Sequence, residues 1–554
     1  MSTSHADTVF VNGSVFLNAD TAPADAVAVQ SGRIVHVGHG RLSEFVGPAT
    51  EVVDMQGGSL LPGFQDAHVH PVAAGIQGLT CDLSREPHSR ERYLRGIRDY
   101  ADAHTGEDWV TGNGWYGDAF PGGLPTRHDL DTVIPDRPAV FTSHDGHGVW
   151  VNSRALAVAG IDSATADPDG GRIDRDAAGV ATGILVEKAG ELVTGLLPPI
   201  TDDVMDEALL AAQSHLHSLG ITAWQDAGVG IPLFGFPDNL GAYLRLDAER
   251  TLTARVIGAL WWSADRGLAQ LDDIRARRAQ SGTARFHATT VKVMQDGICE
   301  NCTAAMLSPY TSVAAGAEVL GTSFIEPDDL AKVVDALVGE QFQIHMHAVG
   351  DRAVRECLDA LEFGIRSHPQ SDGRHQIAHL DVVDPEDIPR FAELGVIANI
   401  QALWARRDTE IVERKLPLLG AEREKWHFPF RSLHGSGARL AMGSDWPVTD
   451  PNPLWAIHTA VTRTGPKDDP HAIGDEARTV PLGPDQALDL RTAIEAYTLG
   501  SAYANHLDHV TGTVEVGKLA DLVLLDQDVF AADDVSTLRP TLTMVEGRTV
   551  YRAG

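Results

Sequence analysis

From Gly220 to Pro447 the chain repeatedly alternates short apolar runs with helical segments. The runs are "GITAWQDAG", "TARVIGAL", "TTVKVMQDG", "FQIHMHAVGD", "HQIAHLD", "GVIANIQ" and "ARLAMGSDWP". Between them lie stretches with helical apolar spacing, such as "DDLAKVVDALVGE", "RAVRECLDALEFGIRSH" and "PEDIPRFAEL". Strands separated by helices of this length must run parallel, because each helix carries the chain back to the start of the next strand. The upstream run "GSLLPGFQDAHVH" brings the number of strands to eight. Eight is the count of a (β/α)8 TIM-like barrel, so the expected fold class is α/β with such a barrel. A doubly wound open sheet is the alternative for the same alternation.

Two regions depart from the alternation. From His68 to Asp226 there are about 160 residues, whereas one βα step needs only about 30 or more. A large insertion after the first barrel strand is therefore expected, over residues 89–199. Both chain ends read as short strands with turn signals, Asn12-Gly13 and Ser31-Gly32 near the start and Glu546-Gly547 near the end. Residues 1–59 and 510–554 are expected to pair into one small β-sandwich domain. The barrel is then left with 60–88 and 200–509.

Charge and composition exclude several partners. The net charge of −33 repels phosphate backbones, so nucleic acid is not an expected partner. No apolar run is long enough to span a bilayer, and "MSTSHADTVFVNGSVF" lacks the pattern of a signal peptide. Four cysteines are too few for a disulfide scaffold, which makes a cytoplasmic location the expectation. No phosphate loop, dinucleotide fingerprint or nucleophile elbow is present.

Polar residues punctuate the apolar runs at similar places. His68 and His70 follow the first strand. Lys292 lies inside the fourth, His347 ends the fifth, His379 ends the sixth, and Asp445 ends the eighth. A parallel barrel directs its strand ends toward one face, so these residues should converge. Each feature alone has a bland structural reading, and the joint pattern is what points to a metal site. His345 is expected to face away from His347 and to stay outside the ligand set. Cys299 and Cys302 form one Cys-x-x-Cys without a second pair, which reads as two reduced cysteines in a loop.

The order His-x-His, Lys, His, His, Asp resembles the amidohydrolase superfamily. The likeness extends over nearly the whole chain. "DGHGVWVNSRAL", "TAAMLSPY", "HAVGDRAV" and "GSDWPV" look like the branch that includes N-substituted formamide deformylases. The resemblance implies one or two divalent metal ions, with zinc expected from the imidazole and carboxylate donors. His68 and His70 would hold one ion with Asp445 near it, and His347 and His379 the second. Lys292 would be carboxylated by CO2 to a carbamate bridging the two, an uncarboxylated lysine in a one-metal site being the alternative.

The implied activity is hydrolysis of a non-peptide C–N bond, an amide or N-substituted formamide, in a small-molecule substrate. Metal-bound hydroxide would attack, with Asp445 as general base and then acid. An ester, lactone or cyclic amide hydrolase on the same scaffold, or a non-catalytic metal-binding protein, are the alternatives. Trp115, His144 and His147 of the insertion, with Trp404 and Trp446 past the last two strands, are the expected substrate-binding residues. A homodimer is the assembly that the resemblance implies.

Overall fold

The computed structural model describes residues 5–40, 42–84, 86–120, 123–144, 148–230, 237–282, 284–311 and 318–554. Eight strands form one parallel sheet: β1 (Phe64–Val69), β2 (Ile221–Val229), β3 (Arg255–Trp261), β4 (Phe286–Met294), β5 (Gln343–Ala348), β6 (Gln376–His379), β7 (Ile397–Ile400) and β8 (Leu440–Met442). Their spatial order follows the chain from β1 to β8. A doubly wound sheet reverses its strand order at a switch point, and none occurs here.

The sheet is nearly closed. Just past the strand ends, Asp445 donates its backbone N–H to the carbonyl of His68 at 2.7 Å, and His70 donates to the carbonyl of Trp446 at 2.9 Å. Gly443 stands at this seam. A Cβ there would lie 2.5 Å from His68 Cβ and 2.6 Å from its nitrogen, so only glycine admits the approach.

Strand β5 shows how the alternation is used. Ile344 and Met346 are fully buried on one face, beneath helices Pro327–Gly339 and Asp351–Ser367. Each helix turns a stripe at helical spacing inward, Leu330, Val333, Val334 and Leu337 in one and Val354, Cys357, Leu358 and Leu361 in the other. Gln343, His345 and His347 take the opposite face. They are joined inside the barrel by Gln65, Gln225, Thr290, Gln376 and Asn399, all buried. Barrel interiors are usually packed with branched aliphatic side chains. This one contains a hydrogen-bonded layer of amides.

The chain divides into two compact units, and Val72–Ala211 forms the continuous part of the second. That part is longer than the expected insertion at both ends. A Cβ on Gly75 would come 2.1 Å from the carbonyl oxygen of Ala208. Helices Pro71–Gly78 and Asp202–Ser218 therefore meet closely at these residues, a contact that strand spacing does not reveal. The unit has a six-stranded sheet, in the order Gly171–Arg175, Ala181–Glu187, Gly148–Val151, Ala139–Ser143, Val110–Trp115, Cys81–Asp82. Tyr93, Trp115, Phe120, Phe141 and Trp150, with Ile97, pack in its apolar core.

The chain ends form two further sheets in the first unit. One contains Thr8–Val11, Ala26–Gln30, Arg33–Gly38 and Glu51–Asp54. The other joins Ser14–Val15 and Ser59–Pro62 to Leu522–Leu525, Pro540–Val545 and Arg548–Arg552. A single apolar cluster draws Phe10, Val27 and Ile34 from the first sheet and Leu60, Leu522 and Leu542 from the second. Among the described residues, no helix is long and apolar enough to cross a membrane.

Ion pairs fasten the terminal sheet to the N-terminal ends of β3 and β4. Arg255 pairs with the buried Asp521 and with Glu546, and Arg285 reaches Glu546 Oε2 at 2.8 Å. Removing one partner of a buried pair leaves an uncompensated charge. Arg255→Ala is therefore expected to lower unfolding stability by about 3–5 kcal/mol, read from the shift in denaturation midpoint. A change below about 0.5 kcal/mol, the size of an ordinary surface substitution, would show that this cluster does not anchor the sheet.

Candidate metal centre

The strand ends bring the expected ligands together. His68 Nε2 lies 3.4 Å from Asp445 Oδ1, and His70 Nε2 lies 3.2 Å from the same oxygen. Donor atoms of His68, His379 and Asp445 all fall within 4.8 Å of one another. Tetrahedral ligands with bonds of about 2.0–2.1 Å sit roughly 3.4 Å apart, so this nitrogen and oxygen set suits a small divalent cation such as zinc. Nδ1 of His379 is buried with no hydrogen-bond partner. The grouping crosses the expected division, because His68 and His379, assigned to different ions, stand together.

His347 is adjacent to the group. Its ring centroid is 4.3 Å from that of His379, while its Nε2 is 3.3 Å from the carbonyl of Gly297 and 3.6 Å from Asp296 Oδ1. Lys292 stands opposite His345 in the β4–β5 register, two residues before Met294, which stands opposite His347.

Burial sets the protonation of the centre. It lowers the pKa of His68 and His379 well below the usual imidazole value, helped by the charge of Lys292 at His68 and of His347 at His379. His347 is lowered to about 3, by burial first and Lys292 second. Neutral imidazoles keep a lone pair available for a metal. Burial also lowers Lys292 to about 7, against the pull of Asp445. Asp445 is different. Burial would raise its pKa, but a hydrogen bond from His70 and the charges of His379, His70 and Lys292 outweigh it and keep the carboxyl below its ordinary value.

The backbone is strained where two ligands leave their strands. His379 has φ +82° and Asp445 φ +57°, in the left-handed region that non-glycine residues seldom occupy. The backbone N–H of His379 donates to Gln401 Oε1 at 2.9 Å. Asp66 accepts the backbone N–H groups of His68 at 3.0 Å and of Ser444 at 3.1 Å, tying β1 to the residue before Asp445.

His345 does not face away from His347. Side chains alternate along a strand with period two, so residues two apart share a face. His345 is fully buried, with Nε2 2.9 Å from His68 Nδ1. Asp296 was also missed. It accepts backbone N–H groups from Ala305, Val349 and Gly350 at 2.9–3.0 Å. Period two would have found His345, and the in-strand glutamines were the available sign of a polar interior. Asp296 follows β4 in the run "TTVKVMQDG", so the strand-end pattern would have pointed to it as well.

The expected substrate-binding residues differ in placement. Trp404 stacks nearly parallel on the His379 ring, with centroids 5.2 Å apart. Trp446 packs near His215 at 5.2 Å. Trp115 is buried in the core of the second unit, where it donates its indole N–H to the carbonyl of Phe141 at 2.9 Å. The reading of Trp115 as a pocket wall is therefore corrected to a core residue. His144 stacks on Tyr116 with centroids 4.1 Å apart, and His147 lies outside the described residues. Cys299 is buried in an apolar cluster with Met306, Tyr310 and Val349. Burial pushes its thiol well above the ordinary value, which does not suit a reactive thiolate.

The chain is 31% identical to Protein LONG AFTER FAR-RED 3 of Arabidopsis thaliana, over 99% of this chain and 92% of that protein. It is 27% identical to the N-substituted formamide deformylase of Arthrobacter pascens, over 98% and 97%. The crystal structure of an uncharacterized metal-dependent hydrolase from Pyrococcus horikoshii OT3 shares the fold, with a TM-score of 0.72 at 24% identity, covering 95% of this chain and 98% of that one. A family model described as "Amidohydrolase family" matches residues 51–551. The chain belongs to the amidohydrolase family.

Proposed function

We propose that the protein hydrolyses a non-peptide C–N bond, an amide or N-substituted formamide, in a small-molecule substrate with the aid of a divalent metal, zinc being the leading candidate. The convergence of His68, His70 and His379 on Asp445 carries this reading. Similarity to an N-substituted formamide deformylase along nearly the whole of both chains supports the bond class. A metal held there would acidify a coordinated water and polarise the scissile carbonyl.

The residues of the chain then divide the work. His68, His347 and His379, kept neutral by burial, would hold the metal together with His70. Asp445 accepts a proton from the attacking water and returns it to the departing nitrogen, which must leave as an amine. Lys292, with a pKa of about 7, has a large neutral fraction near neutral pH. Its amine lone pair adds to CO2 and releases a proton, and the resulting carbamate supplies a second anionic ligand. Trp404, stacked on His379, forms one aromatic wall of the pocket. Trp446, just past β8, contributes to substrate selection.

The proposal is tested by metal analysis and by release of amine from a panel of formamides, acyl amides, lactones and cyclic ureas. Chelation is expected to abolish amine release, and added zinc to restore it. Full activity in metal-free protein would overturn the reading. Turnover confined to lactones would move the assignment to ester chemistry.

Asp445→Asn keeps the size and an oxygen donor but cannot accept a proton. Bound metal is expected to remain while kcat falls about 10²–10⁴-fold, with little change in KM. A metal-loaded variant with near wild-type kcat would assign the base to another residue. Lys292→Ala is expected to lose one equivalent of metal and most activity, with partial rescue of both by short carboxylic acids. Unchanged metal content in this variant would favour a one-metal site without a carbamate.

A further inference from the structure

The orientation of the buried amides can be traced outward from main-chain groups. Gln343 donates both N–H bonds of its side chain to backbone carbonyls, of Arg374 at 2.8 Å and of Ala504 at 2.7 Å. A carbonyl can only accept, so the side-chain oxygen of Gln343 must point the other way. There it accepts from Thr290 Oγ1 at 2.7 Å and from Gln225 Nε2 at 3.0 Å. Gln225 is thereby oriented with its oxygen toward His345 Nδ1, at 2.5 Å.

A second path reaches the same oxygen. Asn399 donates to the backbone carbonyl of Ala67 at 2.9 Å and to Gln376 Oε1 at 2.8 Å. Gln376 then donates to Gln225 Oε1 at 2.8 Å. Gln401 donates to Asn399 Oδ1 at 3.0 Å, and its own oxygen accepts the backbone N–H of His379. Main-chain groups at Arg374, Ala504, Ala67 and His379 thus require one consistent orientation of Gln343, Gln225, Gln376, Asn399 and Gln401.

The consequence extends to the metal centre. Gln225 Oε1 is an acceptor, so the hydrogen of the His345 ring sits on Nδ1 and its Nε2 is left to accept. That bare nitrogen lies 2.9 Å from His68 Nδ1, which must therefore be the donor. His68 is left with its lone pair on Nε2, the atom facing Asp445 at 3.4 Å. We infer that Gln225 and His345 form a positioning relay that locks His68 in the Nδ1–H tautomer and presents its Nε2 lone pair to the metal. Part of this inference rests on the metal reading proposed above, whereas the tautomer itself does not.

Two measurements separate these parts. The first is 15N NMR of the metal-free full chain labelled at histidine, with His68 assigned by its loss in His68→Ala. His68 is expected to show a protonated Nδ1 and a bare Nε2 at neutral pH. A protonated Nε2 on His68 would overturn the relay whether or not the protein binds metal.

The second is zinc affinity by competition with a chromophoric chelator. His345→Leu removes the acceptor and is expected to weaken zinc binding about 10–100-fold, as for other partners of ligating histidines. His345→Gln can accept from His68 and donate to Gln225, so it is expected to bind zinc at least tenfold more tightly than His345→Leu. Equal affinity of both variants and the wild type would overturn the role of the relay in metal binding. If His345→Leu does not fold, the spectrum of the wild type and the affinity of His345→Gln decide. An Nδ1–H His68 in a chain that binds no zinc would sustain the relay and refute the metal reading.

Discussion

The candidate site depends on a hydrogen-bonded layer of amides inside the barrel, formed by Gln225, Gln343, Gln376 and Asn399 with Thr290. A buried donor or acceptor left without a partner costs roughly 1–3 kcal/mol. Such a layer is therefore stable only when all its members are satisfied together. It then behaves as a unit. Here that unit lies directly beneath the histidines, and it fixes where a ring can sit and which nitrogen it offers.

The burial that makes this layer rigid also makes the centre chemically ready. It holds His68, His345, His347 and His379 neutral and brings Lys292 down to about 7. Asp445 remains ionised because the hydrogen bond from His70 and the charge of Lys292 help to outweigh burial. A carboxylate among neutral imidazoles is a suitable arrangement for holding a cation and moving a proton. The left-handed backbone at His379 and Asp445 adds local strain, tolerated because hydrogen bonds to Gln401 and to His68 hold these residues in place.

Much of this was legible in the sequence, for physical reasons. Parallel strands buried on both faces leave continuous apolar runs, so all eight barrel strands could be read, and the polar residues at their ends pointed to His68, His379 and Asp445, which the fold brings together. The break in the alternation between His68 and Asp226 was legible by length, whereas the contact of Gly75 with Ala208 was not, because it has no sequence periodicity. Trp115 looked like a pocket residue because exposed and core tryptophans are indistinguishable without the strand that covers them. His345 was legible and was misassigned by placing residues two apart on opposite faces. The amide relay was hidden for another reason. An in-strand Gln can be an edge residue, and only the closed barrel brings Gln225 of β2 against Gln343 of β5.

The central claim is that His68, His379 and Asp445 surround one metal position at the C-terminal ends of the barrel strands. Anomalous diffraction at the zinc absorption edge, from crystals grown with zinc, tests it most directly. The account predicts a peak bonded to donor atoms of His68, His379 and Asp445. A peak located instead at Cys299 and Cys302, or a fully zinc-loaded protein with none at this position, would contradict it.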